Sequence, residues 1–228
     1  MRLFKKTRNI CIIGLGRFGT AVAEQLLGDR SNNIRLVLID INEKNLIKFK
    51  DQVDSIYVAD SADKHALEAV NIDAFDAVIV STSDNIEIVA ALAEAGVKKI
   101  IARANSKRHA NVLKQIGVHL IISPEDEAGK KTALLVANQS FAKYSQSINE
   151  IQEGYVTGSL FVLNPKIVNK KIKDLGFRNK YEVSLILIKR GNESFLPEGD
   201  FEIKQNDLIT IIGKVENVTK VFDICGKE

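Results

Sequence analysis

Short apolar runs alternate with helix-patterned segments through the first two-thirds of the chain, and this rhythm limits the possible folds more than any other feature. The runs are Ile10 to Ile13, Ile34 to Ile39, Ile56 to Ala59, Ala77 to Val80, Lys99 to Ala102 and His119 to Ile122. Between them, Gly19 to Leu27 carries Ala21, Val22 and Leu26 at helical spacing, and Asn85 to Ala95 is rich in Ala, Leu and Glu. Strands that are apolar throughout have no face for water. They belong in a parallel sheet covered on both sides by its connecting helices. The available side chains agree, because aromatic residues make up only 6% of the sequence and the core must be built from Ile, Val, Leu and Ala. The expected fold is α/β, with a Rossmann-like parallel sheet at its centre.

The pattern changes after Ser123-Pro124, where a stretch from Glu125 to about Tyr144 reads as one helix with Pro in its first turn. From Ser147 onward, short strands and turn signals take over: Tyr155 to Leu163, Val183 to Lys189, Glu193 to Leu196 and Leu208 to Ile212. A short helix is expected around Lys170 to Leu175 and a last one over Val215 to Ile224. The chain therefore divides into a first domain over residues 1–128, a linker or crossover helix over 129–146, and a small α+β domain over 147–228.

Charge and cysteine content narrow the function classes. The 32 basic and 29 acidic residues leave a net charge of +3, and only Arg2, Lys5, Lys6 and Arg8 cluster, which argues against nucleic-acid binding. The prefix lacks the apolar core of a secretory signal and reads as a solvated or membrane-edge tail. No run approaches the ~18 apolar residues that would span a bilayer. Cys11 and Cys225 show no metal or redox spacing and fit a reducing cytoplasm. His65, His109 and His119 have no acid or cysteine at metal spacing and read as structural or solvated.

Directly after the first run stands Gly14-Leu15-Gly16-Arg17-Phe18-Gly19, a G-x-G-x-x-G pattern opening the first helix. Gly14 turns out of the strand, Gly16 lets a phosphate approach the backbone, and Gly19 lets helix and sheet pack closely. The helix start then offers unpaired N–H groups and its positive dipole end to an anion. Asp40, followed by Ile41, ends the second strand near the ~20-residue offset of an acid that bonds a ribose diol and repels a 2′-phosphate. A strand-end acid or a helix cap before Asn42-Glu43 is the structural alternative. Asp60 and Ser61 end the third strand, where they could read a base edge or cap the next helix. Ser81 and Thr82 end the fourth, at the carboxyl edge where open α/β sheets bind ligands.

Together with Ile101-Ala102-Arg103-Ala104-Asn105, Ile116-Gly117-Val118 and Ser123-Pro124-Glu125, these residues resemble the RCK/KTN family of cytoplasmic potassium-transport regulators, of the TrkA and KtrA type. The resemblance covers nearly the whole chain and implies an RCK-N domain, a linker helix and a small RCK-C (TrkA-C) domain. It implies a non-enzymatic gating subunit that binds ATP or ADP, with NAD or NADH as the TrkA-type alternative. It also implies homodimers assembled into an octameric ring beneath an integral membrane potassium-translocating subunit of the Ktr or Trk type, on the cytoplasmic face. The resemblance matches Arg17 to an arginine reaching the γ-phosphate of a nucleotide in the neighbouring subunit. Arg103 matches a basic position near phosphate or, alternatively, an ion-pair partner. Glu125 matches an acid holding Mg or Ca at the nucleotide, or else simply complements the helix dipole. Leu185, Ile186 and Arg190 match the strand that contacts cyclic di-AMP in related modules, with a plain dimerisation strand as the alternative. The turn from Asn192 to Pro197 departs from that family pattern. An NAD-dependent oxidoreductase is disfavoured, since the second domain offers no His and no Tyr-Lys pair at helical spacing.

Overall fold

The computed structural model describes residues 7–29, 33–137, 144, 147–152 and 154–226. Its contacts divide the chain into two units between Glu127 and Ala128.

The first unit is built on six parallel strands: β1 (Arg8–Ile13), β2 (Ile34–Asp40), β3 (Ser55–Val58), β4 (Ala77–Val80), β5 (Ile100–Arg103) and β6 (Leu120–Ile122). Their order across the sheet is β3-β2-β1-β4-β5-β6, so strands are added outward in one direction from β1 to β3 and in the other from β4 to β6, and the strand order reverses between β1 and β4. β1 shows why its sequence is apolar at every position from Ile10 to Ile13, after an exposed Arg8 and a half-buried Asn9. Ile10 and Ile12 pack on one face with Leu36, Leu38, Leu46 and Phe49, while Cys11 and Ile13 pack on the other with Val78, Val80, Val89 and Leu113. Period-two alternation with both faces buried leaves no polar position in that part of the strand.

Helix α1 (Arg17–Gly28) and α2 (Glu43–Leu46), which continues into a 3₁₀ turn, supply the first face through Ala23, Leu46 and Phe49. α3 (Lys64–Ala69), α4 (Ile86–Glu94) and α5 (Lys107–Ile116) supply the second through Leu67, Val89, Leu92 and Leu113. Local chemistry sets the helix boundaries: Asn42, Asp63 and Ser106 cap α2, α3 and α5, and Gly117 ends α5 in the left-handed conformation at φ 100°. α6 (Pro124–Ala137) starts on its proline with Glu125, Asp126 and Glu127 in the first turn. Residues 138–143 of the helix expected to run to Tyr144 lie outside the described residues, and Tyr144 itself sits in a turn.

The second unit carries an antiparallel five-stranded sheet in the order β10-β9-β11-β8-β7. Its strands are β7 (Ile148–Gln152), β8 (Tyr155–Phe161), β9 (Ser184–Arg190), β10 (Glu193–Phe195) and β11 (Leu208–Lys214). Its helices are α7 (Ile172–Leu175), α8 (Phe177–Tyr181) and α9 (Val215–Cys225). Sequence pattern misses β7 and α8. In β7 only Ile148 is buried and the other residues face water, as an edge strand permits. α8 contributes a single buried residue, Phe177.

α9 lies on the sheet so closely that a side chain at Gly158 of β8 would stand 2.6 Å from the Phe222 ring. Phe222 is fully buried, and Tyr144 meets its ring edge-on at 5.0 Å. Cys11 and Cys225 are buried free thiols whose pKa burial raises, to about 12 for Cys225, which keeps both protonated and unreactive. Among the described residues, no helix is long and apolar enough to cross a membrane. Phe222→Ala is expected to destabilise the protein by about 3–5 kcal/mol in urea unfolding, the usual cost of emptying an aromatic site in a tight core.

Candidate functional site

Parallel strands in this order deliver the ends of β3, β2, β1, β4 and β5, and the start of α6 after β6, to one edge of the sheet. That edge gathers the first-unit residues singled out from sequence as ligand contacts. The row runs from Asp60 and Ser61, through Asp40 and Ile41, to the glycine loop, then Ser81 and Thr82, Arg103 and Glu125. The glycine loop stands in the middle, where strand order reverses and open α/β sheets form their ligand crevice.

The three glycines differ in what requires them. Gly14 has φ +87°, and a Cβ there would stand 2.4 Å from Thr82 Cγ2. At Gly19 a Cβ would fall 2.0 Å from the Gly14 carbonyl oxygen and 2.4 Å from Ser81 Oγ. Gly16, the N-cap of α1, has φ −66° and open space where its side chain would be. Its backbone is thus accessible from outside, beside a helix start with no side-chain cap and no acid in the first turn. Such an end attracts anions.

Asp40 is 7% exposed and holds the loop from one side. Its Oδ2 accepts from Leu15 N at 2.5 Å, its Oδ1 accepts from Asn42 N at 2.8 Å, and Asn45 Nδ2 reaches both oxygens at 3.2 Å. Ser81 holds the loop from the other side: its buried hydroxyl donates to the carbonyl oxygens of Gly14 and of Ile13. Ser81 therefore shapes the loop. Asp60 is exposed and bends its own turn by accepting from Ala62 N, whereas the cap of α3 is Asp63. Ile41 and Val58 are apolar yet 71% and 55% exposed, at the ends of paired strands. They offer exposed apolar side chains at the β2 and β3 ends of the crevice.

On the inner side, Arg103 pairs with Glu125 through one guanidinium nitrogen, while Arg103 Nε and the Thr82 hydroxyl are buried without a hydrogen-bond partner. Unpaired polar atoms at two adjoining strand ends suit an arriving oxyanion. Arg17, at the first position of α1, is exposed. Among the described residues of this single chain, no three His, Cys, Asp or Glu side chains cluster to hold a metal ion. A cation at Glu125 would need further ligands from a bound nucleotide or a second chain.

A polar cluster that sequence reading did not single out lies under the β4 and β5 ends. Asn85 is buried and donates to the carbonyl oxygens of Thr82 at 2.9 Å and Arg103 at 2.8 Å, while its Oδ1 meets His109 Nε2 at 3.0 Å. His109 is thus a buried structural histidine. His65 is exposed beside Glu68, and His119 Nδ1 accepts from Ile100 N at 3.2 Å.

Arg190, the residue matched from sequence to a cyclic-dinucleotide contact, lies in the second unit and is engaged internally. It forks onto Asp207 with two bonds of 2.8 Å, donates to the Glu202 carbonyl, and lies over the rings of Phe195 and Phe201. Leu185 packs against the core of that unit, and Ile186 is 38% exposed. Burial pushes the Asp207 pKa up, but the Arg190 fork and the Lys204 N–H outweigh it and hold the carboxyl below the usual carboxylate range.

A parallel α/β crevice domain followed by a small antiparallel sheet domain defines a class of two-domain proteins. The TrkA-N domain model matches residues 10–124 and the TrkA-C domain model residues 159–226, so the chain belongs to the TrkA-N/TrkA-C family. It is 34% identical to uncharacterized protein MG323 of Mycoplasma genitalium, over 96% of this chain and 95% of that protein. It is 28% identical to Ktr system potassium uptake protein C of Bacillus subtilis, over 93% of this chain and 95% of the relative. The solved structure of the GsuK channel bound to NAD shares the fold with a TM-score of 0.55 at 16% identity, matching 98% of this chain. This chain spans only 40% of that channel.

Two substitution sets test the geometry. Gly16→Ala is expected to leave thermal unfolding unchanged, whereas Gly19→Ala costs about 3 kcal/mol through forced overlap. Arg190→Leu strands a buried carboxylate and should cost about 3 kcal/mol at neutral pH in urea unfolding. A lowered carboxylate pKa stabilises the fold above its unfolded value and loses that contribution as the pH falls through the folded one. The deficit of Arg190→Leu should therefore shrink below about pH 4.

Proposed function

We propose that this chain is a nucleotide-responsive, non-enzymatic regulatory subunit of a potassium-uptake system. The observation that carries this reading is its end-to-end similarity to a Ktr potassium uptake protein, with both family domains in sequence and an open glycine crevice at the sheet's reversal point. Residues 1–128 read the nucleotide, 129–146 form the crossover helix, and 147–228 form a dimerising or sensing domain. Copies pair as homodimers that assemble into an octameric ring, which docks on the cytoplasmic side of an integral membrane potassium-translocating subunit.

In this reading, Gly14, Gly16, Arg17, Phe18 and Gly19 surround the phosphates with Thr82 and Arg103. Asp40 takes the ribose diol, Ile41, Asp60 and Ser61 border the base, and Ser81 supports the loop. ATP and ADP are the favoured ligands, and an exposed guanidinium at Arg17 would tell them apart, since it gains most from a fork onto the extra phosphate that ADP lacks. The like charges of Glu125 and a polyphosphate require a cation such as Mg or Ca between them. NAD(H) is the second reading, favoured by the shared fold of the NAD-bound GsuK channel and by an acid suited to an unphosphorylated ribose. Cyclic di-AMP binding by the C-terminal domain would have to proceed around, or displace, the Arg190–Asp207 fork.

Calorimetric titration of the purified chain with ATP, ADP, NADH and cyclic di-AMP ranks these ligands. Asp40→Ala should weaken ATP binding about tenfold or more, consistent with losing a charged hydrogen-bond acceptor. Unchanged ATP affinity in that variant would move the site elsewhere. Arg17→Ala should narrow the preference between ATP and ADP. Turnover of NADH with a small substrate would overturn the non-enzymatic reading.

A further inference from the structure

We propose that His109 is a positioning residue of the nucleotide site, acting through Asn85 on the ends of β4 and β5. The inference rests on the nucleotide reading above, and it concerns a side chain that lies beneath the crevice.

The chain of contacts has one consistent donor assignment. Asn85 Nδ2 bonds two carbonyl oxygens, those of Thr82 and Arg103, at 2.9 and 2.8 Å. Turning the amide over would set Oδ1 against two other oxygens, so Nδ2 must stay where it is and Oδ1 must face His109. His109 Nε2, 3.0 Å from that oxygen, therefore carries a proton and donates it. The other ring nitrogen lies 3.3 Å from Asn105 N and 3.0 Å from Asn105 Oδ1. It accepts from the first when the ring is neutral and donates to the second when the ring is charged. In both states Nε2–H remains on Asn85.

The anchoring runs through two helix starts. Asn85 is the N-cap position of α4, and His109 lies in the first turn of α5, where its backbone N–H donates to the capping Ser106. The His109–Asn85 bond ties these two starts together, and Asn85 passes the constraint to the carbonyls of Thr82 and Arg103. Those are the two residues whose side chains hold buried, unpartnered polar atoms at the crevice. Removing the imidazole leaves Asn85 Oδ1 buried without a donor, and the amide loses the contact that selects its orientation. The two strand ends then lose their common clamp. Phosphate-contacting geometry loosens without any change in a residue that touches the ligand.

The test uses the full chain in three forms besides wild type: His109→Leu, His109→Gln and Asn85→Ala. Glutamine places an N–H near the Nε2 position, and a cavity of about 350 Å³ beside the ring gives it room. Calorimetry with ATP is read beside thermal unfolding without ligand. His109→Leu and Asn85→Ala should each weaken ATP about tenfold, and His109→Gln should recover most of that loss. The recovery should hold even if both His109 variants melt at the same lower temperature. Wild-type affinity in His109→Leu, or equal weakening in the Leu and Gln variants in step with melting, would overturn the positioning role. Failure of the wild-type chain to bind ATP, ADP or NADH would overturn the nucleotide reading itself, and this role with it. Nucleotide binding by wild type with no effect of His109→Leu overturns this role alone.

Discussion

Close packing at the turn from β1 into α1 is the constraint on which the site depends. Helix and strand approach until the Gly19 position touches the Gly14 carbonyl oxygen and the Ser81 hydroxyl, a distance only a residue without Cβ permits. That turn is then tied on both flanks: Asp40 at the end of β2 takes the Leu15 N–H, and Ser81 after β4 bonds the Gly14 carbonyl. Because β2 and β4 are the two neighbours of β1, the loop is fixed to every strand it could reach. The start of α1, with its outward N–H groups and open Gly16, is consequently a rigid anion-facing edge.

Asp40 illustrates how one carboxylate serves both fold and site. An acid that merely recognised a ribose would face solvent before the ligand arrived, yet here its oxygens already accept from Leu15, Asn42 and Asn45. The hydrogen bonds keep the charge in place at an otherwise apolar strand end, which a bare carboxylate could not occupy cheaply. A ribose hydroxyl would add to this set through a remaining lone pair, or would replace the Asn45 amide, whose bonds at 3.2 Å are the longest of the set. On the inner side, the opposite economy holds. Glu125 is 59% exposed, so its pairing with Arg103 contributes at most about 1 kcal/mol and yields readily to a phosphate.

Legibility from sequence followed the range of the interactions. The strand runs and the glycine turn were readable because their physics is local: period-two burial, a tight turn, a helix start. The expected strands accordingly agree with β1–β6 to within about two residues at their ends, the usual scatter of boundary assignment. β7 and α8 escaped because an edge strand and a one-anchor helix need little apolar pattern. Asn85 and His109, 24 positions apart in sequence, meet only because β4 and β5 are neighbours in the sheet. Arg190 finds Asp207 across 17 positions in the same way, so a residue that looks like a free cation on a strand end is in fact the partner of a fully buried carboxylate. Side-chain identity tells what a group can bind, but tertiary pairing decides whether it is available.

Availability also determines how a nucleotide could switch such a protein. A ligand shifts a conformational equilibrium only by the difference in its affinity for the two states, and contacts made equally in both shift nothing. The clamped loop, Asp40 and Ser81 form a rigid portion of this crevice and therefore supply affinity with little discrimination. Differential contact must come from groups whose present engagement is weak or absent: exposed Arg17, and Arg103 with its easily exchanged partner Glu125. Coupling of about 1–3 kcal/mol per site is the ordinary range for allostery. In a nucleotide-switched protein, the clamped groups would thus supply binding and the exchangeable arginines the switching.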